Sequence, residues 1–361
     1  MSFVLRDLGI TIGRMPPGKT NTITDVPGVA VGHTTLIEGD NIRTGVTAII
    51  PSTGNLFYEK VHAAAATING FGKAIGFPQI NELGKIETPI LLTNTLNVGK
   101  VSDALISWVI DKYSVSNREI LSINPVIAEC NDSYLNDIQT RVVEKEHVFH
   151  ALNSACAGQV EEGVVGAGTG MSAFEFKSGI GSTSRIITLD GAEYTLGVLS
   201  LPNFGRREEL MIDCVPVGQA LRDFGKEESP PDEGSIVVVI GTDIPLSHRQ
   251  LVRVAKRATF GIAHTGGTCH NGSGEFAIAF STANRIPDDP KRVFLDERRL
   301  NDTGPAINEV FQATIEAVEE SILSALFSAK TTIGRKGHRR VALPIAHVVS
   351  LFTERGSAPS V

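Results

Sequence analysis

Short aliphatic runs punctuated by Gly, Pro, Asn and Asp recur along this chain. Val46–Ile50, Ile90–Leu92, Ile186–Leu189, Thr195–Leu199, Ile236–Ile240 and Phe276–Phe280 have the length and flanks of buried strands. A second pattern, apolar at three- and four-residue steps, interrupts them. From Ser247 onward, Leu251, Val254, Ala255, Ala258 and Ile262 form one stripe. Ser247 and Gln250 make a capping box at its start, and Gly266-Gly267 lies past its end. Another helix is predicted to begin near Asp302 or Thr303, with Pro305 in its first turn and a stripe of Ile307, Phe311, Ile315, Val318, Ile322 and Leu326. Two more are predicted across Val98–Lys112 and from about Arg141 to Ala157. Strands and helices do not alternate as clean βαβ units, so the pattern predicts a layered α/β or α+β protein with helices on the outer faces of sheets. No repeat of 20–50 residues is visible.

The 361 residues are 42% hydrophobic and 20% charged, ordinary for a globular protein with a large core. A net charge of −7 argues against a general nucleic-acid binder, and the basic cluster His248, Arg249, Arg253, Lys256, Arg257 reads as the wet side of a helix. No run approaches the ~18 apolar residues of a spanning helix, so no membrane partner is expected. The opening MSFVLRDLGITIGR has the shape of neither a signal nor a transit peptide, and a cytoplasmic protein is expected. Cys130, Cys156, Cys214 and Cys269 form no C-x-x-C pair, which points to reduced thiols and no zinc knuckle.

Several motifs offer chemistry. The glycines of GVVGAGTG, Gly163–Gly170, miss the G-x-G-x-x-G spacing, and no P-loop Lys-Ser/Thr follows them; close backbone approach beside a core strand is the stronger reading. His147 and His150 fall on one helix face without a zincin acid, so a solvated face is favoured over a metal pair. His264 and His270 flank a Gly-rich turn and read as hydrogen-bonded loop residues. No G-x-S-x-G elbow occurs.

The polar connector GKEESPP runs into DEGSIVVVIGTD, and Gly234-Ser235 stands where it meets an all-aliphatic strand. A break there would make Ser235 a new N-terminus whose α-amine, titrating near ~8, can take the proton of its own hydroxyl. One residue then supplies both nucleophile and base. Ser273 and Glu275, in NGSGEFAIAF, share a face in extended backbone; a carboxylate beside a hydroxyl can orient it toward a neighbouring amine or serine oxygen. Asn203, after Pro202 in LPNFGRRE, can point an amide N–H at an oxyanion. Glu129, ending the apolar segment PVIAE, can receive a substrate ammonium or simply cap a loop.

DEGSIVVVIGTDIPL followed by ATFGIAHTGGTCHNGSGEFAIAFSTAN resembles the start of the small chain of the DmpA-type peptidases, the L-aminopeptidase/D-amidase-esterases and β-peptidyl aminopeptidases. DVPGVAVGHTTL (25–36), TGVTAIIP (44–51), GAGTGMSAFEFKSGIGSTSRI (166–186) and LPNFG (201–205) resemble the same family, so the similarity runs nearly end to end. The resemblance implies one domain over 1–361, cut at Gly234-Ser235 into 1–234 and 235–361. It implies a four-layer αββα sandwich of the α+β class, similar to the ornithine acetyltransferase fold, with no metal or organic cofactor. It makes Ser235 the nucleophile and its α-amine the base, positioned and polarised by Ser273 and Glu275, with Asn203 in the oxyanion site and Glu129 on the substrate's amino group. Some relatives carry an aromatic hydroxyl where this chain has Asn131, near the substrate; Tyr134 lies close in sequence but would point differently. Short peptides, amides or esters are the implied substrates, and a homo-oligomer, tetramer or octamer, the implied assembly. The rivals are an ornithine acetyltransferase-like acyltransferase, disfavoured by Ser at 235 and the NGSGE segment, and an uncut homologue without catalysis.

Overall fold

The computed structural model describes residues 5–114, 119–225, 234–289 and 291–356. The polar connector expected over 225–234 therefore lies, from 226 to 233, outside the described residues.

The chain opens with β1 (Ala30–Glu38), β2 (Ile42–Ile50), β3 (Glu59–Gly70) and β4 (Ala74–Ile75), then α1 (Phe77–Leu83), β5 (Lys85–Ile86) and β6 (Ile90–Asn94). Next come α2 (Val98–Tyr113), β7 (Val126–Cys130) and α3 (Lys145–Asn153). A short ribbon of β8 (Ser172–Ala173) and β9 (Phe176–Lys177) leads to β10 (Gly181–Leu189) and β11 (Ala192–Asn203). After α4 (Val217–Ala220) follow β12 (Gly234–Thr242), α5 (His248–Ala255), α6 (Ala258–His264), β13 (Ser273–Pro287) and α7 (Ala306–Phe327).

Two mixed sheets result, one ordered β1-β2-β6-β7-β4 and the other β10-β11-β12-β13-β3-β5. Strand alternation divides their side chains among three cores. Val31, Ile49, Leu92 and Ala128 of the first sheet meet Ala63, Leu199, Val237, Val239 and Ile278 of the second. The first sheet's other face, with Val46, Ala48, Leu91 and Ile127, is covered by Val101, Leu105 and Trp108 of α2 and Val148 and Leu152 of α3. The second sheet's other face, with Val198, Ile236, Val238, Ile240 and Ala277, is covered by α5, α6 and α7 through Leu251, Val254, Ile262, Val318 and Ile322. The order of layers is helix, sheet, sheet, helix, the α+β sandwich that the sequence resemblance implies.

Every predicted strand run lies inside an observed strand. Two helices differ. The stripe from Ser247 is split into α5 and α6, although its cap, Ser247 Oγ with Gln250, forms as read. Gly261 brings α6 so near α7 that an added Cβ would sit 2.6 Å from Val318 Cβ. The helix expected from Arg141 to Ala157 covers only Lys145–Asn153. Arg141 is left-handed at φ 49°, and past the helix Cys156 exchanges two backbone hydrogen bonds with Val31.

The glycine-rich segment at Gly166–Gly170 is a buried 3₁₀ turn against β1 and β2. At Gly166, φ is +52° and a Cβ would stand 2.4 Å from Thr47 Oγ1 and 2.7 Å from His33 Nδ1, the close approach read from the sequence. His147 and His150 have separate tasks: His147 Nδ1 accepts the Glu144 N–H, while His150 Nδ1 lies 3.1 Å from Thr34 Oγ1. His264 and His270 pair with Glu319 and Glu209 at 2.8 and 2.9 Å. Tyr134 stacks on His338 and under the Arg340 guanidinium. Cys130, Cys156, Cys214 and Cys269 are free thiols.

Candidate active site

β12 runs antiparallel to β11 and parallel to β13. That combination gathers the end of one neighbour and the start of the other around its first residues. Ser235 therefore stands opposite Asn203 on one side and Gly274 on the other, and Gly234 is opposite Ser273. The end of β7, reaching over from the other sheet, completes the cluster.

Ser235 is 4% exposed. Its Oγ receives the backbone N–H of Asn131 at 3.3 Å and lies 3.5 Å from the Asn203 side-chain amide nitrogen. Asn203 is held on both ends: its Nδ2 donates to the Asn131 carbonyl at 2.9 Å, and its Oδ1 accepts the Ser172 N–H at 3.0 Å. Asn131 contributes its main chain to Ser235, because its side-chain oxygen is taken by the Ser133 N–H at 2.9 Å. Beside them the Cys130 thiol donates to the Leu201 carbonyl at 3.2 Å, and burial drives its titration far upward, so this sulfur stays protonated.

Ser273 and Glu275 lie on the other face of the sheet. Alternation sends Ser235 inward with Val237 and Val239, between the sheets, and sends Ser273 and Glu275 with Ala277 toward the helices. They flank the Gly234–Ser235 peptide from that side: a Cβ on Gly234 would stand 3.0 Å from Ser273 Oγ. Ser273 Oγ and Glu275 Oε2 are buried without a hydrogen-bond partner among the described residues. Burial raises the Glu275 carboxyl above its ordinary range, opposed by the nearby Ser273, Asn69 and His270.

Glu129 is 3% exposed, and burial likewise raises its carboxyl. One oxygen accepts the Lys73 N–H at 2.9 Å and the other the Thr95 hydroxyl. Glu129 and Asn131 are two residues apart in extended backbone, a span of about 7 Å. Sequence reasoning singled out Ser235, Asn203, Glu129, Ser273 and Glu275 by side-chain type; the Asn131 N–H on Ser235 was not foreseen, because every non-proline residue carries one. Among the described residues no group of three or more His, Cys, Asp or Glu is arranged to hold a metal ion, and no helix is long and apolar enough to cross a membrane.

Known proteins share this architecture. A solved protein of Pyrococcus horikoshii OT3 superimposes with a TM-score of 0.92 at 48% identity, covering 99% of this chain and 100% of that one. The L-aminopeptidase D-Ala-esterase/amidase of Ochrobactrum anthropi, described as a prototype of the serine aminopeptidases and a variant of the Ntn hydrolase fold, gives 0.91 at 36% identity over 98% of both chains. The β-peptidyl aminopeptidase BapA of Sphingosinicella xenopeptidilytica is 39% identical over 97% of this chain and 91% of its own. The description "Peptidase family S58" matches residues 21–340. With a serine at a strand mouth, two amide donors on its hydroxyl and a match over most of its length, the chain belongs to peptidase family S58 and is a hydrolase.

Proposed function

We propose that this chain cuts itself between Gly234 and Ser235, and that the mature enzyme removes the N-terminal residue from short peptides, amides or esters. The observation that supports the reading is the arrangement around Ser235: amide donors on its hydroxyl from one face, and on the other face Ser273, opposite Gly234 on β13, and Glu275, with Ser273 Oγ and Glu275 Oε2 buried without a hydrogen-bond partner among the described residues.

In the uncut chain the Ser235 hydroxyl attacks the Gly234 carbonyl carbon. The Oγ–C bond forms, the C–N bond breaks, and the proton passes to the departing nitrogen, leaving an ester and a free amine. Water then hydrolyses the ester. In the cut enzyme that amine takes the hydroxyl proton as Oγ attacks a substrate carbonyl, and Ser273 and Glu275 hold it on the helix side of the sheet. Donors that reach Oγ also reach an oxyanion on the carbon bonded to it, so Asn131 N–H and Asn203 Nδ2 serve the tetrahedral state, each such donor being worth ~3–4 kcal/mol. The proton moves from the amine to the leaving group, and water releases the acyl product.

Glu129 binds the substrate's ammonium. Glu129 stands two positions before Asn131, whose N–H meets Ser235, and a cation-binding carboxylate beside the nucleophile suits an enzyme that reads a free N-terminus. Self-association into a homo-oligomer belongs to the same proposal and is read by sedimentation.

The test is Ser235→Ala. The variant is expected to remain one species of about 38.5 kDa, folded and inactive. Two fragments from it on a denaturing gel overturn the reading. A panel of L-, D- and β-aminoacyl p-nitroanilides then ranks the substrates.

A further inference from the structure

Lys177 is fully buried, yet no carboxylate among the described residues forms an ion pair with it within 4 Å. Its Nζ instead donates to three carbonyls, those of Gly168 at 3.1 Å, Met171 at 2.8 Å, and Ser178. The nearby Asp132 has its oxygens taken by Thr44, Asn94 and Asn136. Burial pushes the pKa of the Lys177 ammonium down to about 7, with Asp132 acting against that, so keeping a proton there is costly and its placement calls for a reason.

The Met171 carbonyl and the Ser172 N–H are the two ends of one peptide group. Lys177, directly opposite Ser172 in the β8–β9 ribbon, donates to the carbonyl end. The N–H end donates to Asn203 Oδ1, and Asn203 Nδ2 faces Ser235 Oγ. A cation on the oxygen of an amide polarises that amide and strengthens its N–H as a donor. That donor also fixes which way the Asn203 amide faces, since reversing it would set two N–H groups against each other.

We propose that Lys177 is a positioning residue for the peptidase reaction: through the Met171–Ser172 peptide it locks and polarises the Asn203 amide that serves the oxyanion at Ser235. The proposal rests on the role given to Asn203 above, and the experiment separates the two.

Lys177→Met, Asn203→Ala and the double variant are prepared, and kinetics are taken on cut material. Lys177→Met is expected to lose kcat by roughly 100-fold, the scale of a small misplacement of a catalytic group, with KM little changed. In the Asn203→Ala background the same substitution is expected to cost nothing further, and its self-cutting is expected to be no slower than that of Asn203→Ala. Multiplying losses in the double variant overturn the proposal, because a lysine that merely stabilises the fold has no reason to act through Asn203. An Asn203→Ala enzyme with full kcat overturns instead the assignment of Asn203. Should Lys177→Met fail to fold, Lys177→Met/Asp132→Asn, which removes both buried charges, takes its place in the cycle. If neither variant folds, the lysine is structural and the proposal is rejected.

Discussion

Glu129→Gln is the sharpest test of how the site reads its substrate. The substitution keeps shape and one acceptor: the Gln oxygen still takes the Lys73 N–H, and its amide can donate to the Thr95 hydroxyl. Only the charge is removed. Breaking a buried, hydrogen-bonded charge pair costs about 2–5 kcal/mol. Here the lower part of that range applies, because the Lys73 ammonium lies near enough to be felt by the carboxylate and so repels the substrate's ammonium as well. A loss of about 2–3.5 kcal/mol corresponds to a fall in kcat/KM of roughly 30- to 300-fold. The assay compares β-alanyl p-nitroanilide with propionyl p-nitroanilide, identical but for the amine. The second substrate is expected to be hydrolysed slowly and equally by both enzymes. The pH dependence follows the same logic. Burial raises the Glu129 carboxyl, so the wild-type KM for the amine substrate climbs as pH falls through a value above 4.5, and the variant lacks that limb. Equal losses on both substrates would refute the reasoning, since Glu129 would then be shaping the cleft and not sensing charge.

Glu275→Gln is expected to lower kcat much more than it raises KM, because it acts on the Ser235 amine; unchanged turnover removes Glu275 from the reaction. His33 is held to a pKa of about 4 by burial, with Nδ1 on Thr47 and Nε2 buried without a partner. Its folded pKa is depressed, so the unfolded state binds more protons between pH 6.5 and 4, and stability is lost as pH falls through that window, by up to about 3 kcal/mol. Urea midpoints of the uncut Ser235→Ala chain measure it, and adding His33→Gln is expected to flatten the dependence. Gly179→Ala is expected to destabilise by at least about 2–3 kcal/mol, since its Cβ would lie 1.7 Å from the Gly163 carbonyl oxygen. Gly99→Ala, in α2 with nothing within 4 Å, is expected to gain up to about 1 kcal/mol, both read from thermal unfolding.

How much of this was legible beforehand depends on what each feature is made of. The strands were readable because burial on both sheet faces forces uninterrupted aliphatic runs such as Ile236–Ile240. Ser235, Ser273 and Glu275 could be singled out because their side-chain types suggest chemistry, and the two-residue spacing of Ser273 and Glu275 fixes a common face for that pair. The break between α5 and α6 was not readable, because the apolar stripe runs through it unbroken and no Gly or Pro stands at Lys256-Arg257. The Asn131 N–H was hidden because a backbone donor leaves no mark on residue identity. Lys177 was hidden for the opposite reason: a lysine is ordinarily a solvated surface residue, and nothing local betrays one that ends on three carbonyls.

The strand order β11-β12-β13-β3 bears on the cut proposed between Gly234 and Ser235. Two strands from residues 235–361 are threaded between two strands from residues 1–234, with ladders on both sides. Pieces severed there would be interlaced and could not drift apart without dismantling the middle of the molecule. Once denatured, however, they must find each other by diffusion. Recovery of the mature enzyme from denaturant should therefore be second order and fade on dilution, whereas the newly made chain folds at a rate indifferent to concentration.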